Sequence, residues 1–218
     1  VILEVGCGTG VIAEELARLT SAHIVGLDLS PRMLAFACQQ GGDVSYVRGD
    51  AHGLPFPDDT FDAVVCHYLL LWLADPMQGV REMVRVVHPA GHVLACAEPD
   101  YGGRVDHPPE MVPLGHLQAK ALRRRGADPE LGRRLGELFV AAGLQATVGV
   151  MAGSWNLPAS PDDGFEAEWA MRERDLDGFL SQEECQRLHS ADRQALSDGR
   201  RILFVPTFYA FGSKSYNH

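Results

Sequence analysis

Val1-Ile2-Leu3-Glu4-Val5-Gly6-Cys7-Gly8-Thr9-Gly10 is the stretch on which the reading of this chain turns. Val1, Ile2, Leu3 and Val5 make a short run dominated by β-branched residues, the pattern of a buried strand. The run breaks into glycines at alternate positions, and from Val11 to Leu19 the apolar residues return at helical spacing. Strand, glycine turn and helix start together build a ligand-binding turn. Glycine takes positive φ without strain and lets a ligand approach where a Cβ would collide. The helix N-terminus behind it offers unpaired N–H groups and about half a positive charge, a setting for an anion. The spacing is Gly-x-Gly-x-Gly, not the Gly-x-Gly-x-x-Gly of dinucleotide turns, and Val11 stands where their third glycine would fall. That argues against NAD. A tight strand-to-helix connection with no ligand stays open at this point.

The 218 residues give room for one α/β domain with a small cap, and the chain reads as a single domain over 1–218. No apolar run reaches the ~18 residues of a membrane span and no signal-peptide pattern opens the chain, so a cytoplasmic protein with no membrane partner is expected. A net charge of −10 argues against a nucleic-acid backbone as the main partner and favours neutral or cationic small molecules. Cys7, Cys38, Cys66, Cys96 and Cys185 form no CxxC pair and read as reduced thiols, with no metal site. The chain opens inside a strand and without Met, so the N-terminal part of the domain is expected to lie upstream.

Downstream, His23 to Leu27 reads as a second strand with Asp28 at its carboxyl end. An acid about twenty residues beyond such glycines accepts hydrogen bonds from ribose hydroxyls. Ser30-Pro31 opens a helix to Gln40, with Met33, Leu34 and Ala37 as its apolar face. Val44 to Val47 is a third strand running into Arg48-Gly49-Asp50-Ala51, and Phe61 to Cys66 a fourth. Asp75-Pro76 starts a helix to about Val87. Pro89-Ala90-Gly91 ends it before a fifth strand, His92 to Ala97. Glu98 to Pro109 reads as loop, Glu110 to Arg125 and Pro129 to Ala142 as helices, and Leu144 to Met151 as a strand. Asp162 to Ser197 is largely helical. Arg201 to Gly212 is read as one final strand, and Pro206 within it implies an edge or a bulge. The alternation of strand and helix requires a mostly parallel sheet with helices on both faces.

The chain resembles the class I S-adenosylmethionine-dependent methyltransferases, in particular the small-molecule subgroup that includes the quinone-biosynthesis C-methyltransferases (the type 11 methyltransferase domain). Leu3 to Gly10 matches the first motif of that family and Gly26-Leu27-Asp28-Leu29-Ser30-Pro31-Arg32-Met33-Leu34 the second. Gly49-Asp50-Ala51 with Leu54-Pro55-Phe56 matches the third. Phe61-Asp62-Ala63-Val64-Val65 and Arg85 to Val93 match the later strands and helix. The likeness is good over residues 1–98 and loose beyond. It implies an α/β, doubly wound, Rossmann-like sheet, mostly parallel and seven-stranded, with an antiparallel last strand and helical insertions forming a cap. The cap segments are expected at 98–118 and 153–185, on the substrate side.

By the same resemblance, Gly6, Cys7, Gly8 and Gly10 hold the methionine part of S-adenosylmethionine with Glu4 beneath it. Asp28 takes the ribose diol, Leu29 and Met33 the adenine face, Asp50 the adenine amine, Ala51 a backbone contact, and His67 lies under the sulfonium. The product is S-adenosylhomocysteine. Methyl transfer to O, N or C is an in-line displacement on an activated leaving group, so the protein supplies alignment and a dry site. A general base is needed only where the acceptor must lose a proton; His67, Asp100, Tyr101 and His107 are the candidates, and for each the reading as an exposed loop residue or a satisfied core hydrogen bond is favoured over catalysis. Tyr68, Trp72, Tyr101 and Trp155 are candidate substrate contacts, with packing the alternative for Tyr68 and Trp72. The cluster Lys120, Arg123, Arg124, Arg125, Arg133 and Arg134 reads as a solvated helical face. Three further functions compete: a cofactor-binding protein without transferase activity, an NAD-dependent oxidoreductase, and an RNA or protein methyltransferase.

Overall fold

A computed structural model describes residues 1–151, 153–157 and 159–215, which separate into two compact units. One unit is built from 1–99, 131–150 and the chain from Thr207 onward, the other from 100–130 and 151–206. In chain order the elements are β1 (Ile2–Val5), α1 (Val11–Leu19), β2 (Ile24–Asp28), α2 (Pro31–Gln40), β3 (Val44–Arg48), β4 (Phe61–Cys66), α3 (Pro76–Val86) and β5 (Val87–Pro99). There follow β6 (Val105–His107), α4 (Val112–Arg124), α5 (Leu135–Ala141), β7 (Leu144–Met151), α6 (Asp163–Asp175), α7 (Gln182–Ser197), β8 (Ile202–Phe204) and β9 (Thr207–Lys214).

The first unit is a seven-stranded sheet in the order β3-β2-β1-β4-β5-β9-β7. β1 runs parallel to β2 and β4, β2 to β3 and β4 to β5, while β9 is antiparallel to β5. The order reverses direction between β1 and β4, and ligands of such sheets bind beyond the carboxyl ends of the strands at that point. Leu3, Val5, Ile24, Val64, Cys66 and Val93 are completely buried, the near-continuous apolar pattern of strands covered on both faces. α2 starts where Ser30 accepts the Met33 N–H with Pro31 at the first helical position, and α3 where Asp75 accepts the Gln78 N–H. Among the described residues no helix is long and apolar enough to cross a membrane.

Three sequence expectations are corrected here. The stretch read as one final strand is two: β8 pairs with β6 in the second unit, whereas β9 joins the main sheet. Pro206 lies between them, outside the ladder, so its missing N–H costs β9 nothing and β9 sits between β5 and β7, away from the edge. Strand β5 begins at Val87 directly after α3, and the pairing with β4 slips between Phe61 and Ala63, so that Pro89-Ala90-Gly91 is accommodated by the irregularity. Met33 is 41% exposed and does not share the buried face of Leu34 and Ala37.

In the second unit, α4, α6 and α7 accompany the small antiparallel sheet β6–β8. The three residues of β6 were too few to register as a strand in what read as loop. Leu114, Trp169 and Leu176 form a buried cluster, which makes Trp169 a core residue. Beside it runs a buried chain of ions in which Arg104 and Arg201 bond Asp106, and Arg201 and Arg172 bond Asp192. The Trp169 indole N–H donates to Asp192 at 2.8 Å. Lys120, Arg123, Arg124 and Arg125 of the basic cluster lie exposed in this unit: Lys120 and Arg124 over the Phe179 ring, Arg123 paired with Glu130, and Arg125 with Asp175.

Candidate functional site

The glycine turn takes the conformation its residues anticipate. Gly6, Gly8 and Gly10 have φ of 75°, 54° and 84°, a region costly for any side chain. The Gly6 and Cys7 N–H groups donate to Leu27 O at 2.7 and 2.9 Å, tying the turn to the end of β2. Gly10 immediately precedes α1, and no side chain caps that helix start.

Asp28 closes the same turn from β2. One carboxylate oxygen accepts the Gly8 N–H at 2.9 Å and the other the Ser30 N–H at 2.8 Å. Each oxygen keeps a lone pair for a further donor, an arrangement suited to a vicinal diol. At the end of β3, Asp50 accepts both the backbone and the ring N–H of His52, which hold its carboxyl below the usual carboxylate range.

These groups meet on one cavity of about 340 Å³. Gly6, Asp28, Leu29, Asp50 and Ala51 line it, with Leu27, Gly49, His52, Leu69, Trp72, Leu73 and Ala74 completing the wall. Two carboxylates therefore line an otherwise mainly apolar hollow, together with the backbone of Gly6. Trp72 lines this cavity and is 41% exposed. Gly10 lines a separate hollow between α1 and α2, and Cys7, Gly8, Met33 and His67 are not on the wall of the first cavity.

Glu4 is 1% exposed and its Oε2 has no hydrogen-bond partner among the described residues. Burial and the nearby charge of Asp28, against the Ala13 N–H, push its carboxyl up to about 7. Burial beside Glu4 and Asp28 pushes the Cys7 thiol up to about 12, so it stays protonated and is no nucleophile. At the end of β4, His67 is half-buried, and burial lowers its imidazole below the ordinary value. Its ring meets Tyr68 edge-on at 4.9 Å. Tyr68 is 44% exposed and has φ of 51°, a strained conformation that costs a non-glycine residue about 1–3 kcal/mol.

Asp100, Tyr101, His107 and Trp155 lie in the second unit. Asp100 is buried and accepts the Gly102 N–H in a local turn. Trp155 is 42% exposed, donates its indole N–H to Leu203 O and meets the Phe204 ring edge-on. Two residues escaped the sequence reading. His52 follows Asp50 by two positions, the spacing of a side-chain turn. Glu98 ends the apolar run Ala95-Cys96-Ala97, and an acid inside such a run was the signal to follow.

Residues 3–95 match the family model described as a methyltransferase domain. The chain is 41% identical over 103 residues to the demethylmenaquinone methyltransferase of Deinococcus radiodurans, covering 45% of this chain and 43% of that protein. It is 32% identical over 147 residues to an uncharacterized methyltransferase of Schizosaccharomyces pombe, covering 62% and 52%. The chain thus spans about half the length of these curated relatives. Among solved structures, phosphoethanolamine N-methyltransferase 2 of Haemonchus contortus in complex with S-adenosyl-L-methionine superposes with a TM-score of 0.62 at 18% identity, over 99% of this chain and 48% of that one. Glycine turn, strand order and family match agree: residues 3–95 belong to the methyltransferase domain family, of the class I S-adenosylmethionine-dependent type.

Proposed function

We propose that this chain binds S-adenosylmethionine in the cavity at the carboxyl ends of β1, β2 and β3 and serves transfer of its methyl group to O, N or C of a small organic acceptor, with S-adenosylhomocysteine as the leaving group. The observation that carries the reading is the meeting of Asp28, Asp50 and the Gly6 backbone on one cavity with apolar walls. Asp28 offers one free lone pair on each oxygen to the ribose diol, Asp50 accepts from the adenine amine, and Leu29, Ala51 and Trp72 supply apolar surface to the base. The methionine end extends from this cavity along the glycine turn from Cys7 to Gly10, residues that the cavity wall does not itself include. S-adenosylmethionine supplies, when bound, a methyl group already activated on a sulfonium. The chain then has only to bind it, orient it and exclude water. His67, at the end of β4, is the candidate base for an acceptor that must lose a proton. A small-molecule acceptor belongs to the same proposal, supported by the net charge of −10 and by the pairing of Arg123 and Arg125 with acids of this chain.

Calorimetric titration with S-adenosylhomocysteine tests it. Asp28→Ala removes two charge-assisted hydrogen bonds and is expected to weaken binding about 100-fold, with Asp28→Asn between the two. Absence of saturable binding to the unaltered chain at millimolar ligand would sink the reading. Tight binding without turnover across a broad acceptor panel would favour a cofactor-binding protein that is not a transferase.

A further inference from the structure

Glu98 stands near the C-terminal end of β5 and is 0% exposed. One of its oxygens accepts the N–H groups of Leu69 and Leu70 at 3.0 and 2.7 Å, and the other accepts that of Leu71 at 3.1 Å. These are the amides that open the short 3₁₀ turn Leu70–Trp72, and such first-turn donors have no partner within the helix itself. The carboxylate thus gathers three consecutive orphan donors from the segment after β4. The same segment is anchored one residue earlier, where the Tyr68 N–H donates to Ala97 O at 2.9 Å.

What the turn carries gives the arrangement its meaning. Leu69, Trp72 and Leu73 all line the cavity that holds Asp28 and Asp50. Leu69 is pressed against the glycine turn so closely that a Cβ on Gly6 would stand 2.7 Å from its Cδ1. A backbone in the left-handed region at Tyr68 delivers the chain into this position, and it persists only because its surroundings over-determine it. Glu98 is the polar part of those surroundings.

We propose that Glu98 is a positioning residue for the cofactor: its carboxylate holds the Tyr68–Trp72 turn against the Gly6 turn, so that Leu69, Trp72 and Leu73 form one wall of the cofactor cavity. The proposal rests on the cofactor reading above. A glutamine cannot replace it, because its single acceptor oxygen must serve donors that two oxygens now share and its amide N–H groups point at N–H groups. An aspartate keeps the charge but falls one methylene short.

The test pairs amide hydrogen exchange with calorimetric titration of S-adenosylhomocysteine, on the whole chain and on Glu98→Gln. Exchange at Leu69, Leu70 and Leu71 should accelerate at least tenfold while Leu3 and Val5 in β1 keep their protection, and the Kd should rise about tenfold. A purely structural role would lower thermal stability and leave the Kd of the folded protein where it was. An unchanged Kd, or three amides as protected as before, overturns the proposal. Should Glu98→Gln not fold, Glu98→Asp must show the same paired change at smaller size, and an unchanged Kd there overturns it equally. If the unaltered chain fails to bind the ligand, the cofactor reading falls and takes this one with it, a result distinct from binding that Glu98 does not affect.

Discussion

Glu4 shows how one buried atom ties the site to the stability of the fold. Its carboxyl has a folded pKa of about 7 against 4.5 for the free side chain, mainly because burial disfavours the charged form. Between those values the folded chain binds a proton that the unfolded chain has released. Protonation therefore favours the fold fully below pH 4.5, and this contribution is lost as pH rises through 7. By the linkage constant it amounts to about 3 kcal/mol. Burial pushes Glu98 to about 7 as well, against the Leu70, Leu71 and Leu69 N–H groups that favour its carboxylate, so the sign is the same. The carboxylate that holds the turn is the form present above that value. The melting temperature should accordingly fall from pH 5 to pH 8, and Glu4→Gln should flatten part of that slope, leaving the share carried by Glu98. Thermal melts across the range check it; a slope identical in both proteins would count against an ionisable Glu4. Asp28 illustrates a different economy, in which one carboxylate both fastens the turn and keeps lone pairs for a ligand.

At the scale of an element, the glycine turn separates two demands that sequence spacing merges. Gly8 and Gly10 both have positive φ, yet a Cβ on Gly8 meets nothing within 4 Å, whereas one on Gly10 would stand 2.3 Å from the Tyr46 hydroxyl. That hydroxyl donates to Glu14 at 2.9 Å, so it is not free to swing aside. Gly8→Ala should cost about 1 kcal/mol of backbone strain, and Gly10→Ala about 3 kcal/mol from strain and overpacking together. Urea unfolding of the two variants measures the gap, and equal losses would mean that the Tyr46 contact relaxes at no cost. The helix starts tell a simpler story. Ser30-Pro31 and Asp75-Pro76 are both read correctly from local chemistry, because a cap bonds to its own first turn and needs no distant partner.

For the molecule as a whole, the two units depend on different forces. The sheet unit rests on apolar strands covered by helices, the second unit on a small apolar cluster beside the ion chain. Arg201 bonds both Asp106 and Asp192, and all three side chains are at most 6% exposed. Arg201→Met strands two buried carboxylates short of a partner and should cost about 3–5 kcal/mol. Arg193→Met breaks only an exposed pair with Glu166 and should cost less than about 1 kcal/mol. Limited proteolysis with mass mapping reads the difference. In Arg201→Met, cleavage should appear first within 100–130 and 151–206, and early cleavage within 1–99 instead would refute the assignment of that chain to the second unit.

The sequence alone determined the strand–turn–helix start, the acids at the ends of β2 and β3, and the alternation that forces a parallel sheet. Those features are local: periodicity, caps and glycines act within a few residues, and the ends of parallel strands converge by topology. Only the tertiary structure decided where Arg201 to Gly212 divides, which strand lies at the sheet edge, and that Trp72 belongs to the cavity. It alone joined Glu98 to Leu69, Leu70 and Leu71 and Arg201 to Asp106, pairings across roughly 30 and 95 positions. Such bonds are made by whichever segments the sheet brings together, and a hydrogen-bonded carboxylate looks the same in sequence as a solvated one.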